Sequence, residues 1–117
     1  AEMQVTAKLG NYRVSARKAR LLADMIRGRQ VEEALAYLDL SPKKFARPLA
    51  KLVRSAVANA EDKNNRDKAG IDVDNLFVRT IMVNEGSSMW RIRARAQGRA
   101  AWIQRRTSNV TLVLEEH

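Results

Sequence analysis

The spacing of apolar residues changes along the chain and predicts a helical middle flanked by strands. Apolar and polar residues alternate over residues 4–9, which is typical of a half-buried strand. Helical spacing then runs over residues 19–26, 31–38 and 45–60. Strand-like alternation returns in four later segments: 76–83, 90–96, 99–103 and 110–114. This order predicts an α+β fold, with about three helices packed on a small antiparallel sheet in a single compact domain.

The ends of the helices carry their own signals. Ser15 is suited to cap the first helix, and Gly28 stands where a helix-ending glycine belongs. Ser41 followed by Pro42 predicts the start of the third helix, with the proline at its first position. Pro48 removes one backbone hydrogen bond and is expected to kink the first turns of that helix. The apolar faces are predicted to be Ala19, Leu22, Met25 and Ile26 in the first helix, and Phe45, Leu49, Leu52, Val53, Ala56 and Ala60 in the third.

Residues 61–75 are strongly polar and are predicted to form a connector. The stretch 62–67 is faintly similar to a calcium-binding loop. However, Arg66 and Asp67 stand where that loop needs a ligand and a glycine. We therefore predict no metal site.

The stretch RIRARAQGRA, residues 91–100, alternates arginine with apolar or small residues. A turn at residues 96–98, with Gly98 in the left-handed conformation, would make it a β-hairpin. The pairs in that hairpin are Arg95 with Arg99, Ala94 with Ala100, Arg93 with Ala101, and Ile92 with Trp102. One face is then apolar and aromatic, while the other carries arginines that no acidic residue neutralises.

Charge is concentrated in the same part of the chain. Lysine and arginine number 22 against 13 acidic residues, which gives a formal net charge of +9 and a pI near 10.7. Six of these charges lie between residues 86 and 106, where there is no acid: Arg91, Arg93, Arg95, Arg99, Arg105 and Arg106. This distribution predicts a body of about residues 1–84 and 107–117 with a long protruding β-hairpin arm of about residues 85–106. A polyanionic partner is indicated, with nucleic acid first and an anionic membrane surface second.

Like charges that face each other destabilise a hairpin, and a lone two-stranded ribbon is marginal in water. The arm is therefore best explained if RNA phosphates neutralise its arginines while Trp90 and Trp102 stack or pack on RNA. Two plainer interpretations stay open. The arginines can form a solvated edge strand, and the tryptophans can fasten the ribbon to its own domain.

A second candidate site lies at the start of the first helix. Arg17 and Lys18 stand in its first turn and Arg13 just before it, where cations oppose the helix dipole. A phosphate bound near Ser15 would reverse that penalty. Arg20 extends this patch, with Arg27 and Arg29 as weaker candidates, and an ordinary exposed basic turn is the alternative.

The sequence argues against an enzyme. There is no cysteine, and the only histidine is His117 at the end of the chain. We find no phosphate-binding glycine loop and no cluster of metal ligands, and no apolar run approaches the length of a membrane span. We therefore expect no cofactor, no small-molecule substrate and no membrane partner, and a reducing compartment.

Three stretches, taken together, resemble the L twenty-two family of large-ribosomal-subunit proteins over essentially the whole chain. They are residues 14–22 with 26–28, residues 55–61, and residues 95–100 continuing to 105–111. The chain differs from the usual family pattern at four positions. Ala16 and Ala94 stand in place of prolines, Asn109 replaces a frequent histidine, and Trp90 replaces a frequent lysine.

The resemblance implies a structural protein that binds large-subunit rRNA, neighbouring ribosomal proteins and the nascent polypeptide. It implies a role in subunit assembly, an arm that lines the peptide exit tunnel, and a cytoplasmic ribosome, with an organellar ribosome also possible. The implied rRNA-binding residues are Arg13, Ser15, Arg17, Lys18, Arg20, Arg91, Arg93, Arg95, Arg99, Arg105 and Arg106. The implied hairpin tip at the tunnel is Met89, Trp90, Arg93, Ala94, Arg95, Ala96, Gln97, Gly98 and Arg99.

The runner-up hypothesis is a free-standing RNA- or DNA-binding regulator that uses the same arm in solution. A basic membrane-surface protein ranks third, because the long helix mixes acids with bases on its polar face. A small enzyme ranks last.

Overall fold

Helices and strands follow one another in the order that the apolar spacing predicts. The computed structural model describes residues 4–67, 70, 73–94, 98 and 100–116, without the side chains of residues 67, 73, 89, 91–94, 100–103 and 105. Its elements are β1 (Gln4–Tyr12), α1 (Ala16–Ile26), α2 (Val31–Leu40), α3 (Ala46–Asp67), a 3₁₀ turn (Val73–Asn75), β2 (Leu76–Glu85), β3 (Met89–Ala94), β4 (Ala100–Arg105) and β5 (Ser108–Glu116). The predicted α+β class, with three helices on a small antiparallel sheet, is confirmed.

The sheet places the last strand in its centre. Its order is β1-β5-β2, and both pairings are antiparallel. Alternate residues of β5, among them Leu112 and Leu114, are fully buried beneath the helices. They meet Ala7 and Val5 of β1 on one side and Ile81 of β2 on the other. One face of the sheet is therefore the floor of the core.

The first helix begins and ends where the sequence predicts. Ser15 is its N-cap, and its hydroxyl oxygen accepts a hydrogen bond from the backbone N–H of Lys18 at 3.3 Å. Gly28 has a φ of 82°, and its N–H donates to the carbonyl of Val78 at 2.8 Å. The assignment of Met25 to the core face was wrong. Its side chain is 38% exposed, and the smaller Ala23 is buried against the sheet instead.

The third helix starts later than Ser41 and Pro42 predict. It begins at Ala46, and the Ser41 hydroxyl instead accepts the backbone N–H of Lys43 within a preceding turn. Pro48 is consequently the third helical residue, and the first backbone bond of the helix comes one residue later, at 3.1 Å. Because the first N–H groups of a helix have no partner inside it, this proline needs no kink. The apolar stripe from Phe45 to Ala60 is buried as predicted.

The prediction of a connector over residues 61–75 was wrong for its first half. Helix α3 continues to Asp67 before the 3₁₀ turn at Val73–Asn75. Polar residues such as glutamate, lysine and arginine are good helix formers, and polarity alone does not end a helix. An ion pair one turn apart, between Arg66 and Asp62 at 3.8 Å, supports the extension.

Strands β3 and β4 form a separate antiparallel ribbon with the predicted register. Ile92 pairs with Trp102, Arg93 with Ala101, and Ala94 with Ala100. Gly98 has a φ of 70°, the left-handed conformation that the hairpin loop requires. The predicted pair of Arg95 and Arg99 lies outside the described residues.

The ribbon leaves the sheet through a bulge. Gly86 N–H donates to the Thr107 carbonyl at 2.9 Å, after which three residues, 86–88, face two, 106–107. A Cβ at Gly86 would lie 2.5 Å from the Thr107 hydroxyl, which is already bonded to the Ser87 carbonyl, so glycine is needed here. The molecule is 65 Å long.

Candidate nucleic-acid interface

The turn between β1 and α1 is held by the first residue of β5. Ser108 is fully buried, and its hydroxyl donates to the carbonyl of Val14 at 2.7 Å. Next to it, the N–H of Val14 donates to the Tyr12 carbonyl at 2.8 Å. With Ser15 fixed as the helix cap, this turn sets the positions of Arg13 and Lys18.

A cleft of about 790 Å³, which we call the basic cleft, lies between the start of α1 and the turn before α3. Apolar residues form its floor: Val14, Leu21, Leu22 and Phe45. Five cations line it, with no acid among the described residues around it: Arg13, Lys18, Lys43, Lys44 and Arg106. Three of these, Arg13, Lys18 and Arg106, are predicted site residues, and the fold brings them together from distant parts of the chain.

No described residue neutralises the cations of the basic cleft. None of their five side chains forms an ion pair or hydrogen bond with another described residue. Arg27, Arg29 and Arg54 differ, because each is paired with an acid at 3.2 Å or less. Like charges gathered in this way raise the free energy of the unbound protein, and a bound anion would remove that cost.

A smaller cleft of about 310 Å³, the neck cleft, joins the first helix to the base of the ribbon. Arg17 and Arg20 line it from α1, and Gln104 and Arg106 from the other side, with Glu85 as its one acid among the described residues. The Arg20 guanidinium donates two hydrogen bonds to the Val83 carbonyl, at 3.2 and 3.0 Å. Arg20 therefore also anchors α1 to β2. Since Ser15, Gln104 and Arg106 line both clefts, the two predicted sites form one surface.

The basic surface continues along α3 in a groove of about 650 Å³ that β1 borders. Its cations are Lys8, Lys44, Arg47 and Lys51. Together with Lys43 they were missed by the sequence analysis. Two signals were available: the Lys43-Lys44 pair before a helix, and basic residues three and four apart from Lys44 to Lys51, which place them on one helix face.

The register of the ribbon assigns its residues to two opposite faces. Opposite and alternate positions of an antiparallel pair share a face. Arg91, Arg93 and Arg105 therefore hold positions of one face, and Trp90 and Trp102 hold positions of the other. Trp90 is 59% exposed, so its own domain leaves most of it uncovered. The backbones of Met89 and Ala94 lie in β3, whereas Arg95, Ala96, Gln97 and Arg99 lie outside the described residues.

Acidic residues gather on a different part of the surface. Helix α2 carries Glu32, Glu33 and Asp39 and no basic residue. A groove between α2 and α3 adds Glu61 and Asp74. Arginines pair with two of these acids, Arg29 with Glu33 and Arg54 with Asp39, and Arg54 also lines the groove. This side of the body therefore mixes acids and bases, unlike the basic cleft.

The described ranges contain neither a metal-binding cluster nor a membrane-spanning helix. No three histidine, cysteine, aspartate or glutamate side chains there are grouped so as to hold a metal ion. None of the described helices combines the length and the apolar character needed to cross a membrane.

The sequence matches the family described as Ribosomal protein L22p/L17e over residues 7–115, from within β1 to within β5, and the chain belongs to that family. It is therefore a structural protein of the large ribosomal subunit and a member of a non-enzymatic family. The resemblance seen in the three sequence stretches is confirmed.

Proposed function

We propose that this protein binds large-subunit rRNA through one continuous surface, made of the basic cleft, the neck cleft and the ribbon. The observation that carries the proposal is the group of five cations in the basic cleft, which no described acid neutralises. RNA phosphates supply the missing charge, and arginine and lysine are the side chains that bind them best.

The arm, about residues 85–106, extends this surface away from the body. Its register supports RNA backbone on the face with Arg91, Arg93 and Arg105, and base stacking on the face with the exposed Trp90. In this proposal the tip, residues 89–99, lies at the wall of the exit tunnel beside the nascent polypeptide. The 65 Å length of the molecule supports a reach of this kind.

Body and arm bind different RNA segments in this proposal, and the protein thereby holds those segments together. Such a clamp acts during subunit assembly, because it fixes RNA segments that would otherwise move independently. Neighbouring ribosomal proteins complete the particle, and the ribosome concerned is cytoplasmic.

Sedimentation of cell lysate on a sucrose gradient, at low and at high salt, tests the proposal. We expect the protein to migrate with large subunits in equal number at both salt concentrations. Replacing residues 89–103 by a short glycine-serine loop is expected to make this association salt-sensitive, because Gln104 and Arg106 stay in the clefts and only the contacts of the body then remain.

The same gradient distinguishes the proposed structural role from the runner-up function. A free-standing nucleic-acid-binding regulator would stay near the top of the gradient, away from the subunits. That result for the unaltered protein would contradict the proposed structural role.

A further inference from the structure

The floor of the basic cleft has a property that phosphate binding does not explain. Leu21 projects from α1 with 55% of its surface exposed, although it is surrounded by cations. Beside it, Val14 is half-buried, and Leu22 and Phe45 form the buried base of the cleft. Phosphate oxygens gain nothing from these aliphatic and aromatic groups. The cleft therefore suits a ligand that has both an anionic part and an apolar part.

A paired RNA helix does not offer that combination at its surface. It presents phosphates and 2′-hydroxyls outward, and its bases are stacked inside. An unpaired nucleotide in a loop or bulge does offer it, because the splayed base exposes two apolar faces between flanking phosphates. The cleft volume of about 790 Å³ lies in the range of pockets that enclose small molecules, so a nucleotide fits.

The polar residues of the cleft match the edge of a base. Gln104 lines the cleft with an exposed side-chain amide, which can donate and accept hydrogen bonds. The Ser15 hydroxyl accepts from Lys18 N–H and keeps its own proton to donate. The ring of Tyr12 lies 5.6 Å from that of Phe45 and helps to hold Phe45 in the base of the cleft.

We propose that the basic cleft binds one unpaired nucleotide of the RNA. Its base lies on the exposed side chain of Leu21, its edge faces Gln104, and its flanking phosphates contact the surrounding lysines and arginines. This inference rests on the proposed function and narrows it, because it names a single-stranded feature of the RNA in place of a duplex.

The test uses the full chain and two RNA hairpins that differ in one residue. One hairpin carries a single bulged 2-aminopurine, and the other is fully paired. We expect about tenfold tighter binding of the bulged hairpin, the size expected when the exposed half of the Leu21 side chain is covered. The fluorescence of 2-aminopurine, which stacking in RNA quenches, should rise as the base enters the aliphatic cleft.

Two variants separate the cleft from general RNA affinity. Leu21→Ser should abolish the preference, so that the bulged hairpin binds no more tightly than the paired one. Leu40→Ser alters a leucine that is still more accessible, 85% exposed on α2 and outside the cleft, and should keep the preference.

The other outcomes distinguish failure of the nucleotide site from failure of the proposed function. Equal affinity of the unaltered protein for both hairpins would overturn the nucleotide site while leaving rRNA binding in place. A preference that Leu21→Ser does not change would also overturn it, since the base would then be bound elsewhere. Failure to bind either hairpin would reject the proposed function itself, and the nucleotide site with it.

Discussion

Replacing Lys18, Lys43 and Arg106 together by glutamine is expected to lower the affinity for large-subunit rRNA about 100-fold. Each lost contact between an exposed cation and a phosphate then accounts for about 1 kcal/mol. These three cations enter the basic cleft from α1, the turn before α3 and the end of the ribbon. The logarithm of the binding constant should also depend less steeply on the logarithm of salt concentration, by about 2 to 3 in slope. Filter binding over a series of salt concentrations measures both quantities.

A matched control variant removes the same number of positive charges from a surface outside the two clefts. Arg54, Lys63 and Arg66 lie on α3 and line neither the basic cleft nor the neck cleft. Their joint replacement by glutamine should change RNA affinity only a few-fold, through the overall field of the protein. Equal losses in the two triple variants would mean that net charge, and not the cleft, governs binding.

Leu112→Ala is expected to destabilise the fold by about 3–5 kcal/mol, the usual cost of a large cavity in a core. Leu112 is fully buried in the central strand β5, between Ala7 and Ile81 on the flanking strands. Domains of this size are stable by only about 5–15 kcal/mol, so the loss takes much of the total. The free energy of unfolding in urea provides the measurement.

Leu40→Ala is the control for that experiment. The same atoms are removed from a side chain that is 85% exposed, so the change should stay within about 0.5 kcal/mol. A loss below 1 kcal/mol for Leu112→Ala would show that β5 is not the centre of the core.

Local signals in the sequence were sufficient for several details of the fold. The Ser15 cap and the left-handed Gly28 depend on a few neighbouring residues, and both are present. The register of the ribbon was predicted correctly because a short turn that ends at Gly98 fixes which residues face each other. These features require no knowledge of the rest of the chain.

Features that depend on distant residues were not predictable in the same way. The position of β5 between β1 and β2 arises from long-range pairing with bulges in both registers. Met25 and Ala23 both fit a helical apolar pattern, and only the packing of α1 on the sheet decides which is buried. The polar sequence of residues 61–67 is compatible with a loop and with a helix, and in the structure these residues continue helix α3.

The candidate site was likewise predictable only where it depends on local sequence. The sequence identified Arg13, Lys18 and Arg106, but it placed them in two separate sites. The fold adds Lys43 and Lys44 and makes one cleft of all five cations, because α1 and the turn before α3 meet. That meeting is a tertiary contact, and charge counting along the chain does not reveal it.

Two departures from the usual family pattern have a structural explanation. Ala16 is the first residue of α1 and is buried, and the side chain of Ser15 caps the helix without help from a proline. Asn109 accepts the backbone N–H of Asn11 at 2.7 Å, where Asn11 has the left-handed φ of 48° at the irregularity in β1. Asn109 thus stabilises the bend just before Arg13.

Directed hydroxyl-radical probing inside assembled large subunits reports which face of the body meets rRNA. Because the chain has no cysteine, an iron chelate can be attached at one introduced position, Ser88→Cys in the neck cleft or Ala58→Cys in the groove beside the acidic α2. We expect strong, localised rRNA cleavage from position 88 and weak cleavage from position 58. Strong cleavage from position 58 with none from position 88 would contradict the proposal that the basic surface binds rRNA.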